Sequence, residues 1–248
     1  MHDTAPGRSR SHFKFSKILS VENYLFIVST PIGNIKDISL RALEILQNVQ
    51  FIACEDTRIT SILLNQYKIK KRMVSLNAVN EKTKIPYMIK RIIKGESCAL
   101  VSDAGTPCIS DPGVRLVSAA LKENIHVVPV PGATAVITAL TISGLPTDSF
   151  VFEGFLPQKK GRQKKLELLS KETRTIVLYE SKYRIGKLIN EIEKYMPDRI
   201  VVVCRELTKK FEEVWRDYPS ELLKSLPGRI TKGEFVVVIS PIDWKEDM

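Results

Sequence analysis

The most constraining feature of the sequence is a loop of small residues at positions 101–113, which stands between two regular patterns. The apolar run at 98–101 predicts a buried strand before the loop, and the spacing at 114–123 predicts an amphipathic helix after it. A strand, a small-residue loop and a helix in this order form the ligand-holding unit of an open α/β sheet. Because no bulky side chain stands near the centre of the loop, its backbone can approach a ligand closely.

The charges of this loop indicate which kind of ligand it suits. Asp103 and Asp111 place two carboxylates in it, and Pro107 and Pro112 stiffen it. A phosphate-binding loop would need a lysine that is missing here, and carboxylates repel phosphates. The loop therefore favours a neutral or cationic ligand.

Strand and helix patterns alternate on both sides of the loop. Alternation of this kind predicts a parallel sheet covered by helices. In the first part of the chain, strands are predicted at residues 24–28, 51–53, 73–76, 98–101 and 127–130, with helices at 40–46, 84–94, 114–123 and 135–143. A further helix is predicted to follow residues 55–58 and to end at about residue 67.

The pattern restarts after a predicted boundary at residues 144–148. Strands are predicted at 150–154, 175–179, 200–205, 211–216 and 235–240, with helices at 162–171, 183–195 and 220–226. Residues 211–216 alternate like an antiparallel strand, so the second sheet is expected to be mixed. We therefore predict two α/β/α domains with a ligand cleft between them: residues 22–145 with a mainly parallel sheet and residues 149–242 with a mixed sheet, preceded by a disordered basic arm at 1–21.

Composition narrows the class of protein. The chain has 248 residues, of which 44% are hydrophobic and 27% charged, as expected for a soluble globular protein. No apolar run approaches the ~20 residues that a membrane span needs. The four cysteines form no CxxC pair and are interpreted as reduced thiols of a cytoplasmic protein, and only one of the three histidines lies within the folded pattern, so no metal site is expected.

The polar and glycine-bearing segments all follow predicted strands. Each alone has an ordinary explanation as a tight turn, a helix cap or a surface ion pair. Ligands in such sheets bind beyond the carboxyl ends of the strands, so the coincidence of the segments at one end predicts a binding cleft. The segments are 31–34, 55–58, 103–113, 131–135, 153–154, 179–181 and 205–209.

The formal charge of +10 favours a polyanionic partner. The clearest candidate region for RNA is residues 157–174, although a run of charges is usually just a solvated helix face. The residues predicted to contact RNA are Lys159, Lys160, Arg162, Lys164, Lys165 and, from the second domain, Arg205.

Taken in order, the motifs resemble the tetrapyrrole-methylase superfamily of S-adenosylmethionine-dependent methyltransferases, and within it the 16S ribosomal RNA cytidine-2′-O-methyltransferase family. The resemblance runs over residues 24–240. It is carried by TPIGN at 30–34, ACEDTR at 53–58, LVSDAGTP at 100–107, ISDPG at 109–113, PG at 131–132, SGLPTD at 143–148, FEGFLP at 152–157, YES at 179–181, RELTK at 205–209 and GEFV at 233–236.

The resemblance implies the tetrapyrrole-methylase type of two-domain fold, S-adenosylmethionine as the cofactor, a homodimer, and cytidine 1402 of 16S ribosomal RNA in the small ribosomal subunit as the acceptor. A cationic sulfonium agrees with a loop that carries carboxylates. The predicted cofactor-binding residues are Pro31, Gly33, Asn34, Asp103, Ala104, Gly105, Thr106, Asp111, Pro131, Gly132 and Ala133.

A general base is expected, because a protonated ribose hydroxyl is a poor nucleophile. The candidate bases are Asp56, Glu55 and Glu180, and Arg58, Arg205 and Lys209 are candidates to hold phosphate or to tune the base. Members of the family usually carry histidines where this chain has residues 77–81 and 182–183, so no histidine base is predicted there. Two alternatives stay open: a methylase of a small tetrapyrrole, and a non-catalytic RNA-binding assembly protein.

Overall fold

The computed structural model describes residues 23–229 and 231–245, and it contains two five-stranded sheets. The predicted basic arm at 1–21 lies outside the described residues. In the part of the chain that is described, none of the helices has the length and apolar character that a membrane crossing requires.

The first sheet is entirely parallel, with the strand order β3-β2-β4-β1-β5. This confirms the predicted parallel sheet. Its elements are β1 (Tyr24–Val28), α1 (Leu40–Asn48), β2 (Phe51–Cys54), α2 (Thr57–Gln66), β3 (Arg72–Ser75), α3 (Glu81–Ile93), β4 (Cys98–Val101), α4 (Val114–Lys122), β5 (His126–Val130) and α5 (Ala135–Ser143).

The second sheet is mixed, as predicted, with the order β6-β7-β10-β8-β9 and a single parallel pair, β6 with β7. Its elements are β6 (Phe150–Phe155), α6 (Arg162–Leu169), β7 (Thr175–Ser181), α7 (Ile185–Tyr195), β8 (Val201–Arg205), β9 (Glu213–Asp217), α8 (Pro219–Ser225) and β10 (Glu234–Ile239).

Several element boundaries differ from the prediction by one to three residues, and two of them have a clear local reason. Helix α3 begins three residues earlier than predicted, because Asn77 and Asn80 exchange side-chain to backbone hydrogen bonds of 2.9 and 3.1 Å that fold the preceding turn. Strand β7 runs on to Ser181, since Glu180 and Ser181 pair with Phe235 and Glu234 of β10. Glu180 therefore lies inside a strand and not in the loop that follows it.

Helix α5 joins the two sheets. It comes from the first part of the chain, but Val136, Ala139 and Leu140 pack with residues such as Val177 and Val238 of the second sheet. The helix is apolar on most of its surface, which is typical of a helix covered on more than one side. The same cluster includes Ile32 from the loop after β1, so a loop of the first sheet also packs in this apolar layer.

Candidate active site

Strands β1 and β4 bring two loops of the first sheet together. Val28 pairs with Val101, so Ser29 and Thr30 lie beside the start of the small-residue loop. Thr30 and Gly105 exchange backbone hydrogen bonds of 2.9 and 3.2 Å. The loop after β2 joins them, because the backbone N–H of Asp56 donates to Oδ1 of Asp103 at 3.0 Å. The predicted gathering at the carboxyl edge of the sheet is therefore present for these three loops.

The loop after β5 is attached to the same group. The hydroxyl of Thr106 donates to the carbonyl oxygen of Ala133 at 3.1 Å and lies 2.9 Å from the hydroxyl of Ser29. A Cβ on Gly132 would lie 2.8 Å from Cβ of Ser29, so only glycine allows this approach. Residues 131–133 thus support the small-residue loop.

A cavity of about 660 Å³ lies between the two sheets. Such a volume is typical of a site for a small molecule. From the first part of the chain it is lined by Ile32, Ser102, Asp103, Ala104, Gly105, Thr106, Ile109, Ser110, Asp111, Thr134 and Ala135. From the second part it is lined by Phe155, Tyr179, Glu180, Ser181, Lys182, Tyr183, Cys204, Glu206, Leu207, Lys209, Gly233, Glu234, Phe235 and Val236.

The predicted cofactor residues divide between this cavity and its surroundings. Asp103, Ala104, Gly105, Thr106 and Asp111 line it. Pro31 and Gly33 line a neighbouring cavity of about 280 Å³, which shares Asp103, Ala104 and Lys209 with the larger one. Asn34, Pro131, Gly132 and Ala133 line neither of these two cavities. The structure therefore places these four beside the site, where they support its loops.

Several backbones around the cavity adopt the left-handed conformation. Ser110, Glu206 and Thr208 have φ values of 64°, 51° and 66°, and Gly105 has 84°. For a β-branched residue such as Thr208 this conformation is strained, and strain of this kind collects at functional sites. The unusual backbones belong to the loops of both sheets that face the cavity.

Three carboxyl groups near the cavity have raised pKa values. Burial is the first cause for Asp103 and Asp111, and neighbouring carboxylates add to it. Burial also raises the pKa of Glu55, and the charges of Asp103 and Asp111 raise it further. The hydroxyl of Ser102 is hydrogen-bonded to Asp111 and holds its carboxylate in place. A cluster of acidic groups with raised pKa values is stabilised by a cation.

Two of the predicted catalytic residues form a rigid pair. Asp56 caps α2 and accepts a fork of hydrogen bonds from Arg58, which lowers the pKa of this carboxyl to about 2. The guanidinium of Arg58 is oriented by this fork, and its side chain is 88% exposed. Asp56 is thus a weak base whose structural effect is to aim Arg58.

Glu180 and Lys209 line the cavity but are already paired. The Glu180 side chain is 1% exposed and lies 2.8 Å from Arg184 and 3.4 Å from Arg162. Nζ of Lys209 lies 3.0 Å from Glu206 and 2.8 Å from Glu234, and these hydrogen bonds outweigh burial and raise its pKa. Glu180 is therefore neutralised by two cations, and Lys209 stays charged.

The predicted RNA-binding residues are divided by burial. Lys159, Lys160 and Lys164 are exposed. Lys165 is paired with Glu153 at 2.7 Å. Of these lysines, Lys165 is the one that an ion pair attaches to β6, the strand whose end lines the cavity.

Burial contradicts the prediction for both arginines. Arg162 is 3% exposed, because it binds Glu191 of α7 and the carbonyl oxygen of Pro157 in the connection between β6 and α6. Arg205 is 5% exposed and binds the carbonyl oxygens of Lys232 and Phe211. Neither guanidinium is available to an RNA backbone, and both fix loops instead.

Sequence reasoning missed the aromatic wall of the cavity. Phe155, Tyr179 and Tyr183 line it, yet only Tyr179 lies in a segment predicted to form the cleft, and none was given a role in binding. Aromatic residues in or just after a strand are usually interpreted as core residues. Only their solvent exposure distinguishes a core residue from one that lines a cavity. No group of three or more His, Cys, Asp or Glu side chains suited to a metal ion is found among residues 23–229 and 231–245.

The fold and the cavity define a class of protein. The model of the family "Tetrapyrrole (Corrin/Porphyrin) Methylases" matches residues 24–222. A solved structure of diphthine synthase superposes with a TM-score of 0.68 at 16% identity, over 88% of this chain and 89% of that one. Uroporphyrin-III C-methyltransferase from Thermus thermophilus, complexed with S-adenosylhomocysteine, superposes with a TM-score of 0.61 at 14% identity, over 87% and 96%.

Relatives of higher identity narrow the class. Ribosomal RNA small subunit methyltransferase I of Buchnera aphidicola is 46% identical over 89% of this chain and 79% of its own length. The protein of the same name from Thermotoga maritima is 44% identical over 87% of this chain and 97% of its own length. The chain therefore belongs to the ribosomal RNA small subunit methyltransferase I family, within the tetrapyrrole methylases.

Proposed function

We propose that the chain transfers the methyl group of S-adenosylmethionine to the 2′-hydroxyl of cytidine 1402 in 16S ribosomal RNA. The observation that carries this proposal is the cavity between the two sheets, where the acidic loop of the first sheet faces strand ends of the second. The names of the relatives indicate ribosomal RNA as the substrate, and the exposed lysines that follow β6 offer a positive surface to its backbone.

The residues around the cavity fit S-adenosylmethionine. Asp103 and Asp111 give the site negative charge, and Gly105 lets the backbone come close, with φ of 84°. The cavity of about 660 Å³ can enclose a folded nucleoside and leave room for a second sugar. When it is bound, the cofactor supplies a sulfonium-linked methyl group that a hydroxyl can attack in line.

The protein's contribution to the reaction is to position the acceptor and remove a proton. Positioning and exclusion of water account for a large part of the rate when no metal takes part. We assign proton acceptance to Glu55, which lines neither cavity but directly precedes Asp56, whose backbone N–H donates to Asp103 of the acidic loop. Burial raises the pKa of Glu55, and the described residues provide no cation partner for it. Asp56, with its pKa of about 2, and Glu180, held by two arginines, serve this role poorly.

The RNA backbone is held from outside the cavity. Arg58 presents a fixed, exposed guanidinium, and a planar fork suits a phosphate. Lys159, Lys160 and Lys164 are exposed in and after the connection from β6 to α6 and add further positive charge. We further propose that the chain is divided into two domains and forms a homodimer. We also propose that it recognises the small ribosomal subunit and is located in the cytoplasm.

Transfer of a radiolabelled methyl group tests the proposal against its alternatives. Small ribosomal subunits lacking the modification and uroporphyrinogen are offered separately with labelled S-adenosylmethionine. Label in 16S RNA supports the proposal, and label in the porphyrinogen alone would replace it with a tetrapyrrole methylase. Tight cofactor binding without label in either acceptor would instead favour a non-catalytic assembly protein.

A further inference from the structure

The cavity has an aromatic wall that the reaction described above does not use. Phe155, at the end of β6, is 52% exposed, and Tyr183, in the turn before α7, is 85% exposed. Both line the same cavity as the acidic loop. Large apolar rings left open at the mouth of a polar cavity mark a surface that a ligand covers.

The ring of Phe155 is held in a fixed place. It lies 5.6 Å from the ring of Tyr179, which in turn lies 5.0 Å from Phe152. Tyr179 in turn packs against the buried cluster that contains Val136 and Val177. Phe155 is therefore supported from behind by a row of rings while its outer half stays open.

The acidic loop reaches this wall directly. A Cβ on Gly154 would lie 2.8 Å from the hydroxyl oxygen of Ser110, so the end of β6 is in contact with the loop that carries Asp111. A group resting on Phe155 would thus lie next to the residues that we assign to the cofactor. This short separation suits a nucleotide, whose base and ribose are directly linked.

Lysines lie beside Tyr183 and follow Phe155 along the chain. Nζ of Lys182 lies 5.0 Å from the centre of the Tyr183 ring. Phe155 begins the connection that carries the exposed Lys159 and Lys160. Aromatic rings with lysines between and beside them form the pattern that binds single-stranded nucleic acid, where bases stack on rings and phosphates meet cations.

We propose that Phe155 and Tyr183 bind the base of the acceptor nucleotide, which leaves its own stack and lies against these rings. The inference rests on the proposed function. Its occupant is an unpaired base of an RNA strand, which the neighbouring lysines favour over an uncharged ring. Because the rings fix the base, the attached ribose faces the acidic end of the cavity. Enzymes that act on a nucleotide commonly extrude that nucleotide from its stack in this way.

The test separates stacking from simple packing. Phe155→Ala, Phe155→Leu, Tyr183→Leu and Tyr183→Phe are assayed in the full chain for methyl transfer to unmodified small subunits and for S-adenosylhomocysteine affinity by calorimetry. Tyr218→Ala is the matched control, because Tyr218 is 47% exposed and lines neither cavity. Thermal unfolding of every variant shows that it is folded.

We expect Phe155→Ala, Phe155→Leu and Tyr183→Leu each to raise the KM for small subunits about ten-fold, as loss of one base-stacking contact does. Tyr183→Phe restores the lower KM, and the Kd of S-adenosylhomocysteine stays the same. An unchanged KM in the leucine variants would overturn the inference, and so would a parallel loss of S-adenosylhomocysteine affinity. If the unaltered protein methylates no RNA, the proposed function itself fails, and the base subsite fails with it.

Discussion

At the scale of single residues, the structure distinguishes between candidate general bases that the sequence could not rank. The acidic pair Glu55-Asp56 follows β2, and the residue types alone gave no reason to prefer one as the base. The fork from Arg58 lowers the pKa of Asp56 to about 2, whereas burial raises that of Glu55. The Arg58 guanidinium is oriented by the geometry at the start of α2, which the residue types alone do not predict.

We expect Glu55→Gln to lower kcat for methyl transfer about 100-fold, within the usual contribution of a general base. In the unaltered protein the rate rises with pH through the raised pKa of Glu55, since only the carboxylate accepts a proton. The pH profile of single-turnover transfer measures this. Asp56→Asn is the matched control and should keep the profile, and a Glu55→Gln enzyme with an unaltered profile would remove Glu55 from this role.

The acidic loop predicts a pH dependence of cofactor affinity. Because the pKa values of Asp103 and Asp111 are raised, both carboxylates become protonated at a pH where an ordinary aspartate stays charged. As the pH falls through these values, attraction for the cationic sulfonium is lost, and the Kd of S-adenosylmethionine should rise by up to about ten-fold per pH unit for each linked carboxylate.

Calorimetry at several pH values compares S-adenosylmethionine with S-adenosylhomocysteine, whose sulfur is uncharged. The second ligand should weaken much less on acidification, and Asp103→Asn should reduce the difference between them. Equal weakening of both ligands in the unaltered protein would show that the two carboxylates do not act on the sulfonium.

At the scale of elements, most strands and helices followed from periodicity, because each strand is a short apolar run between turn residues. The misplaced residues are instructive. Arg162 and Arg205 lie among exposed lysines or polar residues in the sequence, yet each turns inward to satisfy loop carbonyl oxygens. A charge pattern does not reveal which of several basic side chains is buried against loop carbonyl oxygens. In the same way, the sequence does not reveal that Phe155 is a surface residue.

Gly33 tests how the loops of the two sheets meet. A Cβ there would lie 2.5 Å from Cγ of Lys209 and 2.9 Å from the carbonyl oxygen of Leu207. We expect Gly33→Ala to reduce the free energy of unfolding by about 1–3 kcal/mol and to weaken S-adenosylmethionine binding, since the loops must separate.

Gly228→Ala is the control for Gly33→Ala, because a Cβ at Gly228 meets no atom within 4 Å. Urea unfolding and calorimetry give the two quantities. If Gly33→Ala matched Gly228→Ala in both, the close contact between the loops would not matter for the site.

At the scale of the whole molecule, α5 couples the two sheets. From its position in the chain, this helix was predicted to belong to the first domain. In the structure, its buried apolar residues pack on the second sheet. Buried residues of both parts of the chain therefore share one cluster, which predicts that the sheets unfold together.

We expect Leu140→Ala to lower the free energy of unfolding by about 3 kcal/mol, as for a buried leucine, and to leave a single transition. Ile142→Ala on the same helix is the control, because Ile142 is 45% exposed and should change stability little. Differential scanning calorimetry measures both. Two separate transitions, with only one moved by Leu140→Ala, would contradict the coupling.

The position of the transferred methyl group tests the central claim most directly. Unmodified small subunits are incubated with the full chain and S-adenosylmethionine, and the 16S RNA is digested and mapped by mass spectrometry. We predict one added methyl group on the ribose of cytidine 1402, which forms about 100-fold more slowly when Glu55→Gln replaces the unaltered protein. A methyl group on a base, on another nucleotide, or on no RNA at all would contradict the assignment of this cavity to ribose methylation.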